Sequence, residues 1–212
     1  MKLRKDLKDG IKNIIFDLGG VIIDIDPMLS VEAFGQLCGT DISLDDIFPQ
    51  HDNFFLAYEL GNISDNEFAE AIRKNYRCGH LSDDQICAAW CALIKNPDPA
   101  RFRLLDKIKE EYRTFVLSNT NGFHVARVEE VVPQYLSGRT FESFFERCFY
   151  SHTMHLHKPD RRIYEQVISE TGIRPSETLF IDDREMNFTG AREAGLRTYH
   201  LTGGETLQDL FG

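Results

Sequence analysis

The chain lacks any long apolar run. Nowhere does it reach the roughly 20 apolar residues of a membrane-spanning helix. Its amino-terminal MKLRKDLKDG is charged and is followed only by the short IKNIIF, so neither a signal peptide nor a span is expected. Positive charge is also in deficit: Lys and Arg total 24 against 34 Asp and Glu, a formal net charge of −10. A chain that grips nucleic acid or an anionic membrane surface needs the opposite balance or a basic stripe, and neither is present. Both partners are therefore excluded as expectations. Cysteine is sparse and odd in number, with Cys38, Cys78, Cys87, Cys91 and Cys148 at no framework spacing. Cys87 and Cys91 stand four apart in the helical-looking QICAAWCALI, as two small core residues would. Reduced, buried thiols in a cytoplasmic protein are the expectation. Internal repeats and low-complexity segments are missing as well.

What is there is the composition of a soluble globule, with 42% hydrophobic and 27% charged residues over 212 positions. A chain of this length fills one large domain, or a core with one insert, and can bury roughly two-thirds of its unfolded surface. Five short apolar runs read as buried strands: Asn13–Asp17, Thr114–Ser118, Arg147–Ser151, Thr178–Asp182 and Thr198–Leu201. Helical periodicity follows the middle three, over Gly122–Tyr135, Pro159–Thr171 and Glu185–Ala194. Strands apolar throughout, alternating with helices, predict an α/β fold with a parallel sheet covered by helices on both faces. In such sheets the polar residues at the strand carboxyl ends converge on one crevice.

The gap between the first two strands has a different texture. Ser64-Asp-Asn-Glu67 and Ser82-Asp-Asp-Gln85 are capping-box patterns that open helices. HDNFFLAYELGN reads as a further helix closed by Gly61. The segment is too long for a loop, so residues 27–95 are expected to form a helical cap, inserted into a core made of 1–26 and 96–212. Cap aromatics Phe54, Phe55, Tyr58, Phe68 and Trp90 recur at three- and four-residue spacing, which favours core packing over substrate contact. The carboxy-terminal TGGETLQDLFG reads as a loop and short helix closing one edge of the sheet.

Four strand ends carry candidate chemistry. IIFDLGGVIIDID places Asp17 after an apolar strand, followed by Gly19-Gly20, where backbone can approach a ligand closely. FVLSNTN offers Ser118 and Asn119 with a helix amino terminus behind them, a setting suited to an anion. Lys158 stands before Pro159 at an expected first helical turn, where a cation is unfavourable unless an anion answers it. LFIDDREMN puts Asp182 and Asp183 side by side, and adjacent acids repel unless a cation or proton joins them. With Asp17 they make an oxygen-rich group suited to a hard divalent ion such as Mg²⁺. The histidines of SHTMHLHK (His152, His155, His157) mix strand and loop spacing without a cysteine pair, so zinc is not expected and a solvated loop is the reading, with His157 bordering the active site beside Lys158 as the alternative.

In these residues the sequence resembles the haloacid dehalogenase (HAD) superfamily, across essentially the whole chain and with all four motifs in order. The runs FDLGGVIIDID, LSNTN, HKPDRRIYEQV, FIDD and ELGNISDNEFAEAI are most similar to the branch holding α-D-glucose-1-phosphate phosphatase and the phosphatase domain of soluble epoxide hydrolase. The resemblance implies a Rossmann-like core with a subfamily I helical cap and a Mg²⁺-dependent phosphomonoesterase of small phosphorylated metabolites. It makes Asp17 the nucleophile, Ser118 and Lys158 stabilisers of the transferring phosphoryl oxygens, and Asp182 a supporting acid. Gly19, Gly20 and Asn119 join Ser118 and Lys158 in holding phosphate, while Asp17, the Gly19 carbonyl and Asp183 hold the metal. One position departs from the pattern. Most family phosphatases carry a general-acid Asp two residues after the nucleophile, and here that residue is Gly19. Candidates to replace it are Asp24, Asp26, His51 and Glu59; a good leaving group or slow turnover are alternatives. A weakened phosphate-binding or regulatory protein and a metal-free 2-haloacid dehalogenase are the competing functions.

Overall fold

The computed structural model describes residues 2–39, 41–47 and 54–211. Its framework is one sheet of five parallel strands, β1 (Asn13–Phe16), β2 (Arg113–Ser118), β3 (Arg147–Tyr150), β4 (Thr178–Asp182) and β5 (Arg197–His200), in the order β3-β2-β1-β4-β5. The period of two sorts the strand residues by face. Ile14, Phe16, Val116, Leu179 and Ile181 enter one apolar cluster, and Ile15, Phe115, Leu117 and Phe180 enter the other. Both faces are covered, so the strands read as unbroken apolar runs rather than alternating ones. Burying each of these side chains contributes roughly 1.5–3 kcal/mol, which holds the pairing in register.

Between β1 and β2 run α1 (Pro27–Cys38), α2 (Leu44–Ile47), α3 (Phe54–Glu59), α4 (Asp65–Asn75), α5 (Asp83–Cys91) and α6 (Pro99–Ile108). α7 (Gly122–Tyr135) leads to β3, while α8 (Ser151–Met154) and α9 (Arg161–Thr171) lead to β4. α10 (Phe188–Glu193) leads to β5, and α11 (Leu207–Leu210) follows it. α6, α7 and α11 cover the first sheet face, and α9 and α10 the second.

α1, α3, α4 and α5 bury a third cluster of their own, with Phe34, Phe55, Tyr58, Phe68, Ile72, Ile86 and Trp90 inside it and Phe54 and Phe123 packed against it. The aromatics singled out for their spacing are therefore core. Both capping boxes form, Ser64 with Glu67 and Ser82 with Gln85. The two strands of chain that enter and leave this helical group hold each other: Ile25 bridges Ile94, Asp26 N–H donates to Leu93 O at 2.8 Å and Lys95 N–H to Asp24 O at 3.0 Å.

Three local expectations are corrected. α9 begins at Arg161 with Asp160 as its cap, two residues later than the expected start at Pro159, so Lys158 is set further from the helix end than expected. A 3-10 turn over Glu185–Asn187 precedes α10 where continuous helix was expected. The carboxy-terminal run covers a sheet face, with Leu207, Leu210 and Phe211 in the first cluster and Phe211 bridged to Leu3, instead of closing an edge. All five cysteines are free thiols; Cys78 and Cys91 are buried, whereas Cys38, Cys87 and Cys148 are only partly so. Among the described residues no helix is long and apolar enough to cross a membrane.

Candidate active site

The strand order turns back at β1: the chain leaves β1 toward β2 and β3, then crosses to β4 on the other side. Ligand crevices of open parallel sheets lie at such a reversal, outside the strand carboxyl ends. Asp17 stands there because the β1–β4 ladder runs one bond further, Asp17 N–H donating to Ile181 O at 2.9 Å. Asp182 ends β4 and Ser118 ends β2. A chain segment between α8 and α9 brings in Lys158, which is 1% exposed.

Lys158 Nζ lies 2.9 Å from Asp17 Oδ1 and 2.7 Å from Asp182 Oδ2. Burial works to lower the Lys158 pKa, and attraction to the two carboxylates outweighs it, so the net direction is upward and the ammonium stays charged. Burial pushes Asp17 up to about 6 against the pull of Lys158, with repulsion from Asp182 adding to the rise. Asp182 is saturated. Besides Lys158 it accepts from Arg184 N–H at 2.8 Å and from Asn187 Nδ2 at 3.0 and 2.9 Å on its two oxygens. Its carboxylate is thereby fixed as the support of Lys158.

Asp183 is the reverse case. Its Oδ1 is buried and has no hydrogen-bond partner among the described residues, and burial followed by repulsion from Asp182 raises its pKa. Oxygens of Asp17, Asp182 and Asp183 lie within 4.8 Å of one another. Since Asp182 is fully engaged, Asp17 and Asp183 are the carboxylates open to a cation. The backbone is shaped around them: Gly20 has φ +76°, and a Cβ there would sit 2.3 Å from Asp183 Oδ2. A side chain at residue 20 would thus occupy the place of the carboxylate. A buried, unpartnered oxygen beside a second carboxylate fits a hard divalent cation.

The Asn119 side chain is taken up by the Lys158 backbone. Its Oδ1 accepts from Lys158 N–H at 2.8 Å and its Nδ2 donates to Lys158 O at 3.0 Å, clamping the lysine backbone. The Ser118 hydroxyl lines the crevice and makes no protein hydrogen bond among the described residues. The crevice itself is a cavity of about 570 Å³ between sheet and inserted helices, walled by Leu18, Gly19, Ile23, Ile25, Leu93 and Val128 and by polar Glu59, Thr120, Asp183 and Arg184. A larger open groove of about 840 Å³ lies at the amino ends of the strands around Lys12, Arg113 and Glu177. Its charges answer one another, Lys12 with Glu177 and Arg113 with Glu146, and it is far from the carboxylate group.

The candidates for the missing acid separate cleanly. Asp24 accepts from Arg101 Nη1 at 2.9 Å, and Asp26 caps α1 through Met28 N–H. His51 lies outside the described residues. Glu59 alone of the four is on the cavity wall among the described residues, with its Oε2 2.8 Å from His157 Nε2.

The sequence reading missed His124, Asn121 and Asn187. His124 lines the cavity and stacks on Trp90 with ring centroids 4.9 Å apart. Asn121 Oδ1 accepts from His124 N–H, so its Nδ2 faces His124 Nδ1 at 3.2 Å, while Nε2 faces Trp90 O at 3.2 Å. Both ring nitrogens are engaged, and burial pushes the His124 pKa down to about 4 despite the Trp90 carbonyl. No spacing rule announces such residues: Asn121 reads as a helix cap, and Asn187 becomes a ligand of Asp182 only because the turn after β4 folds back.

Comparison with known proteins agrees with this geometry. A family model described as haloacid dehalogenase-like hydrolase matches residues 11–195. D-ribitol-5-phosphate phosphatase of Bacteroides thetaiotaomicron is 30% identical over 198 residues, 92% of this chain and 93% of that one. A solved HAD family enzyme from the same organism, in complex with magnesium and inorganic phosphate, superposes with TM-score 0.87 at 37% identity, covering 95% of this chain and 100% of that one. (S)-2-haloacid dehalogenase 4A of Burkholderia cepacia is 23% identical over 206 residues, 91% of this chain and 84% of that one. The chain belongs to the haloacid dehalogenase-like hydrolase family.

Proposed function

We propose that the protein is a Mg²⁺-dependent phosphomonoesterase of a small phosphorylated metabolite, a sugar or polyol phosphate, working through an aspartyl-phosphate on Asp17. The observation that carries this reading is the pairing of an open carboxylate, Asp183, whose Oδ1 is buried without a partner among the described residues, with an Asp17 already held by Lys158 at 2.9 Å. Asp17, Asp183 and the Gly19 carbonyl would hold the cation, which when bound screens the nucleophile from the anionic phosphate. Similarity to a ribitol-5-phosphate phosphatase and to an enzyme solved with magnesium and phosphate supports the same class.

In the first step an Asp17 oxygen forms a bond to phosphorus as the bond to the ester oxygen breaks, and that oxygen leaves as the alcohol after taking a proton from solvent water. Water then attacks phosphorus, the Asp17–phosphorus bond breaks, and inorganic phosphate leaves with the carboxylate restored. Lys158 stays charged and, with the Ser118 hydroxyl, meets the charge that gathers on the phosphoryl oxygens. Asp182 holds Lys158 in place, and Asn119 clamps its backbone. Residues 27–95 act as the cap that walls the crevice.

A 2-haloacid dehalogenase also uses an aspartate nucleophile but would leave the buried Asp183 oxygen unanswered. Release of phosphate from an aryl phosphate and a pentitol phosphate, with Mg²⁺ and with EDTA, tests the reading. Turnover that needs Mg²⁺ and falls by orders of magnitude in Asp17→Asn is the expected result. Turnover in EDTA, or halide release from 2-chloropropionate under the same conditions, would overturn it.

A further inference from the structure

Glu59 closes α3 and shows the cavity a carboxylate of which only one oxygen is used. Oε2 meets His157 Nε2 at 2.8 Å, and among the described residues the group makes no other protein hydrogen bond. The orientation of that contact follows from its neighbours. Asn119 Oδ1 accepts from Lys158 N–H, so Asn119 Nδ2 is the donor to His157 Nδ1 at 3.0 Å. With Nδ1 accepting, the neutral imidazole carries its proton on Nε2 and donates it to Glu59. One chain of hydrogen bonds therefore runs from the backbone of Lys158, through Asn119 and His157, to a carboxylate on an inserted helix.

The backbone around Glu59 is tied to the sheet-bearing part of the protein as well. Ser151 Oγ stands 2.6 Å from Glu59 O, and His155 Nδ1 stands 2.8 Å from Leu60 O. Gly61, at φ +65°, approaches so closely that a Cβ would lie 2.0 Å from His152 O. Backbone and side chain are both held, so Glu59 is a fixed wall group with one oxygen facing the cavity. Two other polar side chains of the wall are already used, since the Asn119 amide clamps Lys158 and both His124 nitrogens are engaged, whereas Ser118, Thr120 and Arg184 line the same cavity nearer the strand ends. Around it stand apolar Ile23, Ile25, Leu93 and Val128.

We infer that Glu59, positioned by His157, recognises the leaving-group end of the substrate by accepting hydrogen bonds from its hydroxyl groups, with the apolar wall taking the carbon chain. A hydrogen bond to a charged group is stronger than a neutral one, and a half-buried acceptor that a ligand covers without answering penalises a ligand that lacks the hydroxyl. The substrate class that fits is a polyhydroxylated alkyl phosphate. This inference rests on the phosphomonoesterase reading and adds the selecting group to it.

The test compares three esters, a pentitol phosphate, n-butyl phosphate and 4-nitrophenyl phosphate, on the wild-type chain and on Glu59→Ala and His157→Ala. The expected result is a loss of kcat/KM for the pentitol phosphate at least tenfold larger than for butyl phosphate in Glu59→Ala, carried mainly by KM. A smaller loss in the same direction is expected in His157→Ala. Equal losses on the two alkyl phosphates with the aryl ester spared would make Glu59 a proton donor and overturn the inference. Equal losses on all three, or none, would overturn it too. If the wild-type chain releases phosphate from none of them, the phosphomonoesterase reading fails separately. The intact esters then serve as ligands in calorimetric titration, where Glu59→Ala must erase a preference for the pentitol phosphate over butyl phosphate.

Discussion

Gly20→Ala puts the metal reading at risk with a single methyl group. The Cβ would stand 2.3 Å from Asp183 Oδ2, so the carboxylate must retreat by about 1 Å to reach ordinary van der Waals separation. Residue 20 also sits at φ +76°, where an L side chain costs roughly 1–2 kcal/mol. For a chain of this size that corresponds to a Tm loss of about 2–8 °C. Displacing a ligand or its support typically costs 10–100-fold in metal affinity. The expected outcome is a folded protein whose Mg²⁺ activation constant rises by about 10–100-fold, with much of kcat recovered at saturating Mg²⁺. Gly138→Ala separates strain from collision: its φ is +82° and nothing lies within 4 Å of the added Cβ. That variant should show a similar Tm loss and an unaltered Mg²⁺ constant. Phosphate release across a Mg²⁺ series, with circular dichroism to establish folding, makes the comparison. A folded Gly20→Ala whose Mg²⁺ constant stays within twofold of wild type would refute the assignment of Asp183 to the cation.

Three further outcomes follow from the packing and charge. His124 is held neutral, with its pKa pushed down to about 4 from an ordinary 6.5. Between those values the unfolded chain binds the extra proton, so stability falls as pH drops from about 6.5 toward 4, by at most about 3 kcal/mol from this group. Urea unfolding across that range should show a shallower decline in His124→Gln, and an unchanged decline would remove His124 as a cause. Asp182→Ala leaves buried Lys158 with Asp17 as its remaining carboxylate partner and strips acceptors from Asn187 and Arg184 N–H. A loss of about 3–5 kcal/mol in urea unfolding is expected, together with activity; Asp182→Asn should recover stability better than activity. Phe68 is fully buried among Phe55, Tyr58 and Trp90, so Phe68→Ala should cost about 3–5 kcal/mol by calorimetry. A cost under 1 kcal/mol would mean that the inserted helices do not share the cooperativity of the sheet.

The strands were legible because a sheet covered on both faces demands unbroken apolar runs, and NIIF, TFVLS and TLFID have no other economical explanation. Capping boxes at Ser64 and Ser82 were legible because the bonds that make them are local. Boundaries were less so where the stop signal is tertiary. The helix was expected to start at Pro159, yet Asn119 holds the Lys158 backbone and Asp160 supplies the cap, so it starts at Arg161. The turn over Glu185–Asn187 follows from Asn187 reaching back to Asp182, a contact no periodicity encodes.

The sequence by itself determined the class of the fold and the residue types at each strand end, since both rest on local pattern: period-two burial, turn glycines and adjacent acids. Tertiary structure alone decided how those residues divide their work. Asp182 and Asp183 are neighbours of the same type, but the pleat and the turn after β4 surround one with three donor groups making four hydrogen bonds and leave the other with a buried oxygen that is unanswered among the described residues. In the same way Asp24, Asp26 and Glu59 were equal candidates as letters. Arg101 engages the first and a helix end the second, whereas Glu59 reaches the cavity because α3 is tied to residues some ninety positions away. Contacts at that sequence separation depend on how the whole chain packs, and local pattern does not carry them.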